Sequence, residues 1–226
     1  MSTTAARTVS SRLTASHGEE RPVGIPHGSE FLTGSLASVP APRAVVLIAN
    51  DRGYGRHVPA LRALADELRI AGFATLIADV VPAGENCRGR ELDAAAARLA
   101  SARAWLASSK HATLPVVLFG MGAAAPAALL SAAARPGDVA AVVACGPNPD
   151  APGIALGMVS CPALLIAHTG QFGDVASHIR ALGRLGGRHD LAVLSEVQDT
   201  ARSALDIARA TVPFLSFVRK EDRRAA

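Results

Sequence analysis

The sequence predicts an α/β protein whose mostly parallel sheet of about eight strands carries helices on its faces. Short apolar runs rich in β-branched residues alternate with longer segments of helical periodicity along almost the whole chain. The apolar runs are continuous, which is typical of strands buried on both faces of a parallel sheet. A third observation is a strand–glycine–helix turn, "VVLFGMGAAAPAALL", at 116–130. Together these features predict right-handed βαβ units within one domain of the 226-residue chain.

The composition argues against two classes of protein. No uninterrupted apolar run approaches the roughly 18–20 residues that span a bilayer, so we expect no membrane association. The formal net charge is +4, the arginines are scattered, and aromatic residues make up only 4% of the chain. A nucleic-acid binder would concentrate its cations on one face beside stacking aromatics. We therefore expect no nucleic-acid partner.

The cysteines and the chain termini bear on location and domain organisation. Cys87, Cys145 and Cys161 form no CxxC pair and no signal peptide precedes them, which predicts reduced thiols in a cytoplasmic protein. The histidines lack metal-ligand spacing, so we expect no metal, and no cofactor is predicted. We expect 1–20 to be a mobile leader, 21–219 to be a single domain and 220–226 to be a charged tail.

The first elements follow from local signals. "RPVGIP" and "EFLTGSLASV" predict two short strands joined by a turn at His27–Gly28. "AVVLIAN" at 44–50 predicts a buried strand, and the segment after it has helical periodicity that Gly72 ends. The apolar face predicted for this helix comprises Leu61, Leu64, Leu68 and Ile70.

The alternation continues to the end of the chain. Strands are predicted at 73–80, 114–120, 139–146, 161–170 and 190–197. Helices are predicted at 91–109, 123–134, 173–186 and 200–220. Pro213 is expected to interrupt the last helix. Because ligands bind at the carboxyl ends of the strands in such sheets, those ends are where we expect chemistry.

The glycine turn at 116–130 has two interpretations, of which one is a dinucleotide-binding fingerprint. Gly120-Met-Gly122-Ala-Ala-Ala125 fits G-x-G-x-x-G/A, whose glycines let a backbone approach a pyrophosphate at a helix N-terminus. The ribose-binding acid should end the next strand. That strand instead ends at Cys145, and Asp150 lies beyond it.

The other interpretation is a nucleophile elbow, in which G-x-S-x-G forces a strained strand-to-helix turn that lifts a serine above the sheet. Gly120 then fills the first glycine position and Ala124 the last small position. Gly122 occupies the serine position and has no side chain that could attack a substrate.

Three segments carry a resemblance to a known family. "LIANDRGYGRHVPAL" is similar to "LFAHGSGSSRHSPRN", "VVLFGMGAAAPAAL" to "GYFGASTGAAAAL", and "VVACGPNPD" to "VVSRGGRPD". The chain thus resembles the α/β-hydrolase superfamily, in the dienelactone-hydrolase-like branch that is also found fused to phosphoribosyltransferase domains. The similarity runs from Arg21 to Val218. It implies the α/β-hydrolase fold without a large lid domain.

The resemblance also implies where a catalytic triad should lie, in the order Ser, Asp, His. Gly122 occupies the serine position, Gln171 lies near the acid position and Ala201 lies in the histidine region. A shifted register would offer Asp174 as the acid. We therefore expect the triad to be lost.

The oxyanion region departs from the family pattern as well. Where the family has His-Gly, this chain has Asn50-Asp51, and a carboxylate would repel a developing oxyanion. The resemblance thus implies a catalytically degenerate protein that acts as a non-hydrolytic small-molecule binder, regulator or partner subunit. A small anion or a carbonyl ligand at the helix N-terminus, a protein partner and a homo-oligomer are all left open. The expected pocket comprises Asn50, Asp51, Arg52, Gly120, Met121, Gly122, Ala123 and His168.

Two alternatives remain at this stage. The first is an enzyme on the same scaffold, either an esterase or lactone hydrolase or a lyase or isomerase, using residues such as Cys145, His168 or Asp174. Cys145 and His168 end neighbouring predicted strands, but a buried structural cysteine is the simpler interpretation. The second alternative is a Rossmann-type nucleotide binder. Cys87 is expected in an exposed polar loop, and Cys161 is expected far from the site.

Overall fold

The computed structural model describes residues 20–51, 59–170, 175–195 and 200–218. They form one eight-stranded sheet with the strand order β1-β2-β4-β3-β5-β6-β7-β8. The strands are β1 (Arg21–His27), β2 (Glu30–Ala37), β3 (Val45–Asp51), β4 (Ala74–Val81), β5 (Val116–Met121), β6 (Ala141–Cys145), β7 (Ala163–Thr169) and β8 (His189–Ser195). The helices are α1 (Pro59–Ile70), α2 (Arg90–Ala107), α3 (Ala125–Ala134), α4 (Val175–Leu182) and α5 (Thr200–Phe214).

The sheet is mixed only at its first edge. β1 and β2 form an antiparallel hairpin whose turn includes Gly28 at φ 59°, a left-handed conformation that glycine adopts without strain. β2 then pairs antiparallel with β4, and the remaining strands pair in parallel. The predicted hairpin and the mostly parallel sheet are therefore confirmed.

The sheet separates two hydrophobic cores, because successive side chains of a strand point to opposite faces. Along β3, Val45 and Leu47 join the core covered by α2, α3 and α4. Val46 and Ile48 join the core covered by α1 and α5. This double coverage explains why the central strands are apolar without interruption.

Two expectations about side chains were wrong. Ile70 does not share the buried face of α1 but is 66% exposed. At 100° per residue it lies about 180° around the helix from Leu61. Cys87 is fully buried rather than exposed, in a segment where its φ is 52° and its side chain packs into the core under α2 and α3.

The helix ends follow local chemistry. Gly72, at φ 87°, donates its N–H to the carbonyl of Arg69 and closes α1 as predicted. Pro213 lies in the last turn of α5, after which the chain continues as a 3₁₀ turn at Leu215–Phe217. A 3₁₀ helix at Gly153–Met158 was not predicted from the sequence.

Among the described residues, no helix has the length and apolar character needed to cross a membrane.

Candidate functional site

The turn between β5 and α3 has the backbone of an elbow. Met121 ends the strand in an extended conformation, and Gly122 follows at φ 58°, which side-chain-bearing L-residues rarely adopt. A single 3₁₀ turn at Gly122–Ala124 then leads into α3, whose first turn contains Pro126. The apex of this sharp strand-to-helix turn is Gly122, which carries no hydroxyl, thiol or carboxylate.

Gly120 is required by close packing inside the turn. A Cβ at this position would lie 2.6 Å from the Cα of Ala125 and 2.8 Å from the Cβ of Ala128. Contacts under 3.0 Å are essentially never seen for a Cβ, so only glycine lets α3 fold back this closely onto β5. The glycine is therefore explained by helix–strand contact without any ligand.

Gly146 serves the same turn from the neighbouring strand, and the sequence did not single it out. It follows β6, where a Cβ would lie 2.2 Å from the carbonyl oxygen of Gly122. The elbow thus rests directly on the backbone after β6. The segment "GPNPD" after β6 therefore begins with a residue that the elbow requires to be glycine.

The end of β3 contributes a carboxylate to the elbow. Ala49 pairs with Gly120, so the next residues of β3 run beside Gly122. The pairing of β3 with β4 is irregular between Asn50 and Asp51, and such irregularities re-aim side chains. Asp51 is 9% exposed, and its carboxylate Oδ2 accepts a hydrogen bond of 3.1 Å from the N–H of Ala123.

A second acid, Asp79, supports the end of β3, and sequence reasoning missed it. The Asn50 Nδ2 donates to Asp79 Oδ1 at 3.4 Å, and the Thr33 hydroxyl donates to Asp79 Oδ2 at 3.2 Å. The Oδ1 of Asn50 is buried and has no hydrogen-bond partner among the described residues. The available signal was a single acid in the otherwise apolar run "FATLIADV".

The strand order and its first antiparallel pair match a known architecture. A dienelactone hydrolase from Anabaena variabilis superposes with a TM-score of 0.78 at 28% identity, over 90% of this chain and 99% of that one. The chain has the α/β-hydrolase fold. A serine hydrolase without a lid from Xanthomonas campestris shares the fold at a TM-score of 0.68 and 16% identity, over 87% of this chain and 94% of that one.

Sequence comparison finds relatives that are longer than this chain. Two proteins from two strains of Mycobacterium tuberculosis, each provisionally named a phosphoribosyl transferase, are 40% identical over 139 residues. The match covers 60% of this chain but only 31% of each relative. No protein-family model matches the chain. The scaffold is therefore dienelactone-hydrolase- and esterase-like, with distant homology to these transferase-named proteins.

Within the hydrolase fold, Cys145 lies in the core. It ends β6, is 3% exposed, and pairs in register with Met121 and Ile166. Burial raises the pKa of its thiol to about 12. His168 lies on β7 two residues beyond Ile166 and is half-buried. The register therefore does not set Cys145 and His168 opposite each other.

The other predicted site residues are placed only in part. Arg52, Gln171 and Asp174 lie outside the described residues. Ala201 falls in the first turn of α5, beyond the carboxyl end of β8. In the part of the chain that the structure describes, no group of three or more His, Cys, Asp or Glu side chains could hold a metal ion.

The geometry does not support the dinucleotide interpretation of the turn. The acid nearest to the ribose-binding position, Asp150, accepts a 2.7 Å hydrogen bond from the Arg180 Nε in an ion pair. The strand order also differs from the 3-2-1-4-5-6 order of a dinucleotide-binding domain.

Proposed function

We propose that this chain is a dienelactone-hydrolase-like protein that has lost serine-hydrolase chemistry and acts by binding. The observation that carries the proposal is the hydrogen bond from the Ala123 N–H to the Asp51 carboxylate. In the hydrolase fold, the N–H of the residue after the nucleophile forms part of the oxyanion hole. That residue is here Ala123, and the protein's own carboxylate accepts its hydrogen bond.

Two features oppose acyl transfer at this site. Covalent catalysis needs a nucleophile, and Gly122 at the apex has none. Stabilisation of the tetrahedral intermediate needs N–H donors aimed at an unoccupied position, whereas the Ala123 N–H is engaged and a negative charge lies beside it. A single serine substitution would leave the second feature unchanged.

The cysteine route is also disfavoured. A thiolate nucleophile needs a lowered pKa and access to the substrate. Cys145 is buried, its thiol pKa is raised to about 12, and no cation contributes to the shift. This supports the simpler interpretation of Cys145 as a small core residue.

Engagement of the Ala123 N–H also constrains any ligand at the former active site. A carbonyl or carboxylate that used this N–H would have to displace the Asp51 side chain. A ligand that leaves Asp51 in place would instead contact other groups at this end of the sheet, such as the half-buried His168 of β7. This refines the expectation of an anion at the N-terminus of α3.

The test is activity-based labelling with a fluorophosphonate probe, together with turnover of p-nitrophenyl acetate. We expect neither labelling nor turnover above the level of the heat-denatured protein. The Ser38 hydroxyl lies beside His111, away from the elbow. A Ser38→Ala variant therefore shows whether any labelling or turnover comes from that pair. Turnover that is abolished by Cys145→Ala, or labelling at the elbow, would overturn the proposal.

The comparisons favour one second candidate, a partner subunit. In the M. tuberculosis relatives the matched region is 31% of a longer chain that is named for phosphoribosyl transfer. We infer that this chain associates with a phosphoribosyl transferase. The test is whether the tagged chain copurifies with phosphoribosyl transfer activity that the tag alone does not retain. If a saturating amount of the tagged chain retained none of that activity, the inference would be contradicted.

A further inference from the structure

A cavity lies at the amino-terminal ends of β3 and β5, whereas the elbow follows the carboxyl end of β5. It is formed by the segment between β2 and β3 and by the segment between α2 and β5, and its volume is about 420 Å³. We call it the basal cavity. Its lining residues are Ser38, Ala41, Pro42, Arg43, Lys110, His111, Thr113 and Leu114.

The lining of the basal cavity is basic. It includes Arg43, Lys110 and His111, and it contains no Asp or Glu. Lys110 is exposed and forms no ion pair with any described residue. The nearby positive charge is therefore not neutralised by a carboxylate of the cavity wall.

Arg43 is anchored by several contacts at the wall of the cavity. Its Nη2 donates to the carbonyls of Ser216 at 2.7 Å and of Val218 at 3.2 Å. Its guanidinium also lies 5.0 Å from the centroid of the Phe73 ring, within the range of a cation–π contact. These contacts fix a cation in place without cancelling its charge.

Two hydrogen-bonded polar side chains, the half-buried Ser38 and the buried His111, complete the wall. His111 is 4% exposed, and its Nε2 lies 3.1 Å from the Ser38 Oγ. The Ser38 hydroxyl donates a long hydrogen bond of 3.4 Å to the Val39 carbonyl. With the hydroxyl donating to that carbonyl, the His111 Nε2–H is the donor to Ser38, and its Nδ1 has no partner among the described residues.

The electrostatic setting of His111 favours the neutral ring, in which one nitrogen donates and the other accepts. Burial lowers the pKa of His111 below 6.5, and the charges of Lys110 and Arg21 lower it further. No carboxylate contributes to the shift. At neutral pH the ring is therefore neutral, and Lys110 and Arg21 raise the positive potential around it. No Asp or Glu lines the cavity to offset that potential.

We propose that the basal cavity binds a small ligand bearing an oxyanion, either a phosphate or a carboxylate group. Lys110 supplies the charge, and the Ser38 hydroxyl exchanges its long bond to the Val39 carbonyl for a bond to the anion. His111 is a positioning residue, because its Nε2–H holds the Ser38 oxygen while the hydroxyl proton turns to the ligand. A charge-assisted hydrogen bond is about twice as strong as a neutral one, which favours this exchange.

The Ser38–His111 pair does not make the cavity a hydrolytic site. A catalytic histidine needs an acceptor at its second nitrogen to stabilise the imidazolium that forms. The Nδ1 of His111 has none among the described residues, and its lowered pKa makes it a weak base. The arrangement therefore suits binding rather than nucleophilic attack.

The experiment is an NMR titration of the ¹⁵N-labelled chain with inorganic phosphate, with malonate, and with chloride at matched ionic strength. We expect saturable shifts of the amides of Ser38, His111 and Thr113. Lys110→Gln should weaken the binding about tenfold, which corresponds to the loss of one charge-assisted contact. Ser38→Ala should weaken it as well. The matched control is Arg90→Gln, which removes one exposed charge at the start of α2, after the carboxyl end of β4. It should leave the affinity unchanged.

The results of the titration identify the class of ligand that the basal cavity binds. Saturation by phosphate alone assigns the cavity to phosphate-bearing ligands, saturation by malonate alone assigns it to carboxylates, and saturation by both supports a general oxyanion site. His111→Gln separates positioning from charge, because glutamine can still donate to Ser38 and should largely retain the binding. Equal shifts with chloride, or equal weakening by Arg90→Gln and Lys110→Gln, would overturn the proposal.

Discussion

The carboxylate of Asp51 accepts the N–H of Ala123 at 3.1 Å, which ties the end of β3 to the elbow. These residues are 72 positions apart in the chain and become neighbours because β3 and β5 are adjacent in the sheet. The bond satisfies a backbone donor that a serine hydrolase leaves open for its intermediate. It therefore gives the elbow a structural role that does not depend on a nucleophile.

The first prediction concerns this bond. Asp51→Ala leaves the half-buried Ala123 N–H without its acceptor and should lower the free energy of unfolding by about 1–2 kcal/mol. Asp51→Asn keeps an acceptor oxygen and should cost less. Urea unfolding measures both effects, and hydrogen exchange at the Ala123 amide should speed up in Asp51→Ala. Asp138→Ala, which removes a 54% exposed partner of Arg103, is the control and should cost about 0–1 kcal/mol. Equal costs for the two alanine variants would contradict the assigned role.

The second prediction concerns the apex. Gly122→Ser should not produce esterase activity, because the Ala123 N–H remains engaged by Asp51. The substitution should also destabilise the protein by about 1–2 kcal/mol, since serine must adopt the positive φ of 58°. Gly153→Ser is a matched control, because Gly153 has φ 61° and open space around it. Turnover of p-nitrophenyl acetate by Gly122→Ser would show that only the nucleophile was missing.

The third prediction tests the contact between the elbow and the strand beside it. Gly146→Ala places a Cβ 2.2 Å from the Gly122 carbonyl oxygen, and backbone must move to relieve the clash. We expect a loss of roughly 1–3 kcal/mol or more in the free energy of unfolding. Gly157→Ala is the control, because its Cβ would meet nothing closer than 3.7 Å. A Gly146→Ala protein as stable as the Gly157→Ala protein would refute the contact.

The fourth prediction concerns the thiols. Burial raises the pKa of Cys145 to about 12, that of Cys87 to about 12 and that of Cys161 to about 11. Near pH 8 the thiolate fraction of a group with a pKa near 12 is about one in ten thousand, so iodoacetamide should label the native protein very slowly. Urea should make all three thiols reactive. Rapid labelling of native Cys145, located by mass spectrometry, would revive the cysteine enzyme as an alternative.

The fifth prediction concerns pH. The pKa of His111 is lowered in the folded state, so below about pH 6.5 the unfolded chain binds a proton that the folded chain does not. The contribution of His111 to stability is therefore present above that pH and is lost as the pH falls. Urea midpoints at mildly acidic and neutral pH should differ less in His111→Gln than in the parent chain. An unchanged difference would show that His111 is not held neutral by its surroundings.

Much of the architecture was accessible from sequence, because each signal is local. The hairpin, the alternation and the helix stop at Gly72 depend on neighbouring residues, and all are confirmed. The glycine pattern of the elbow was also visible, since Gly120 and Gly122 meet constraints set within the turn itself. Cys87 was misjudged because polar neighbours suggested exposure, whereas its φ of 52° accompanies a side chain buried in the core.

The sequence by itself determined that the apex at Gly122 carries no nucleophile, and it determined the order of the strands and helices along the chain. Only the tertiary structure decided that the Ala123 N–H is already bound, that Gly146 supports the elbow, and that His111 faces Ser38 in a basic cavity. The physical reason is that strand pairing brings together residues about 25 to 75 positions apart, and their contacts depend on directions that no local pattern encodes.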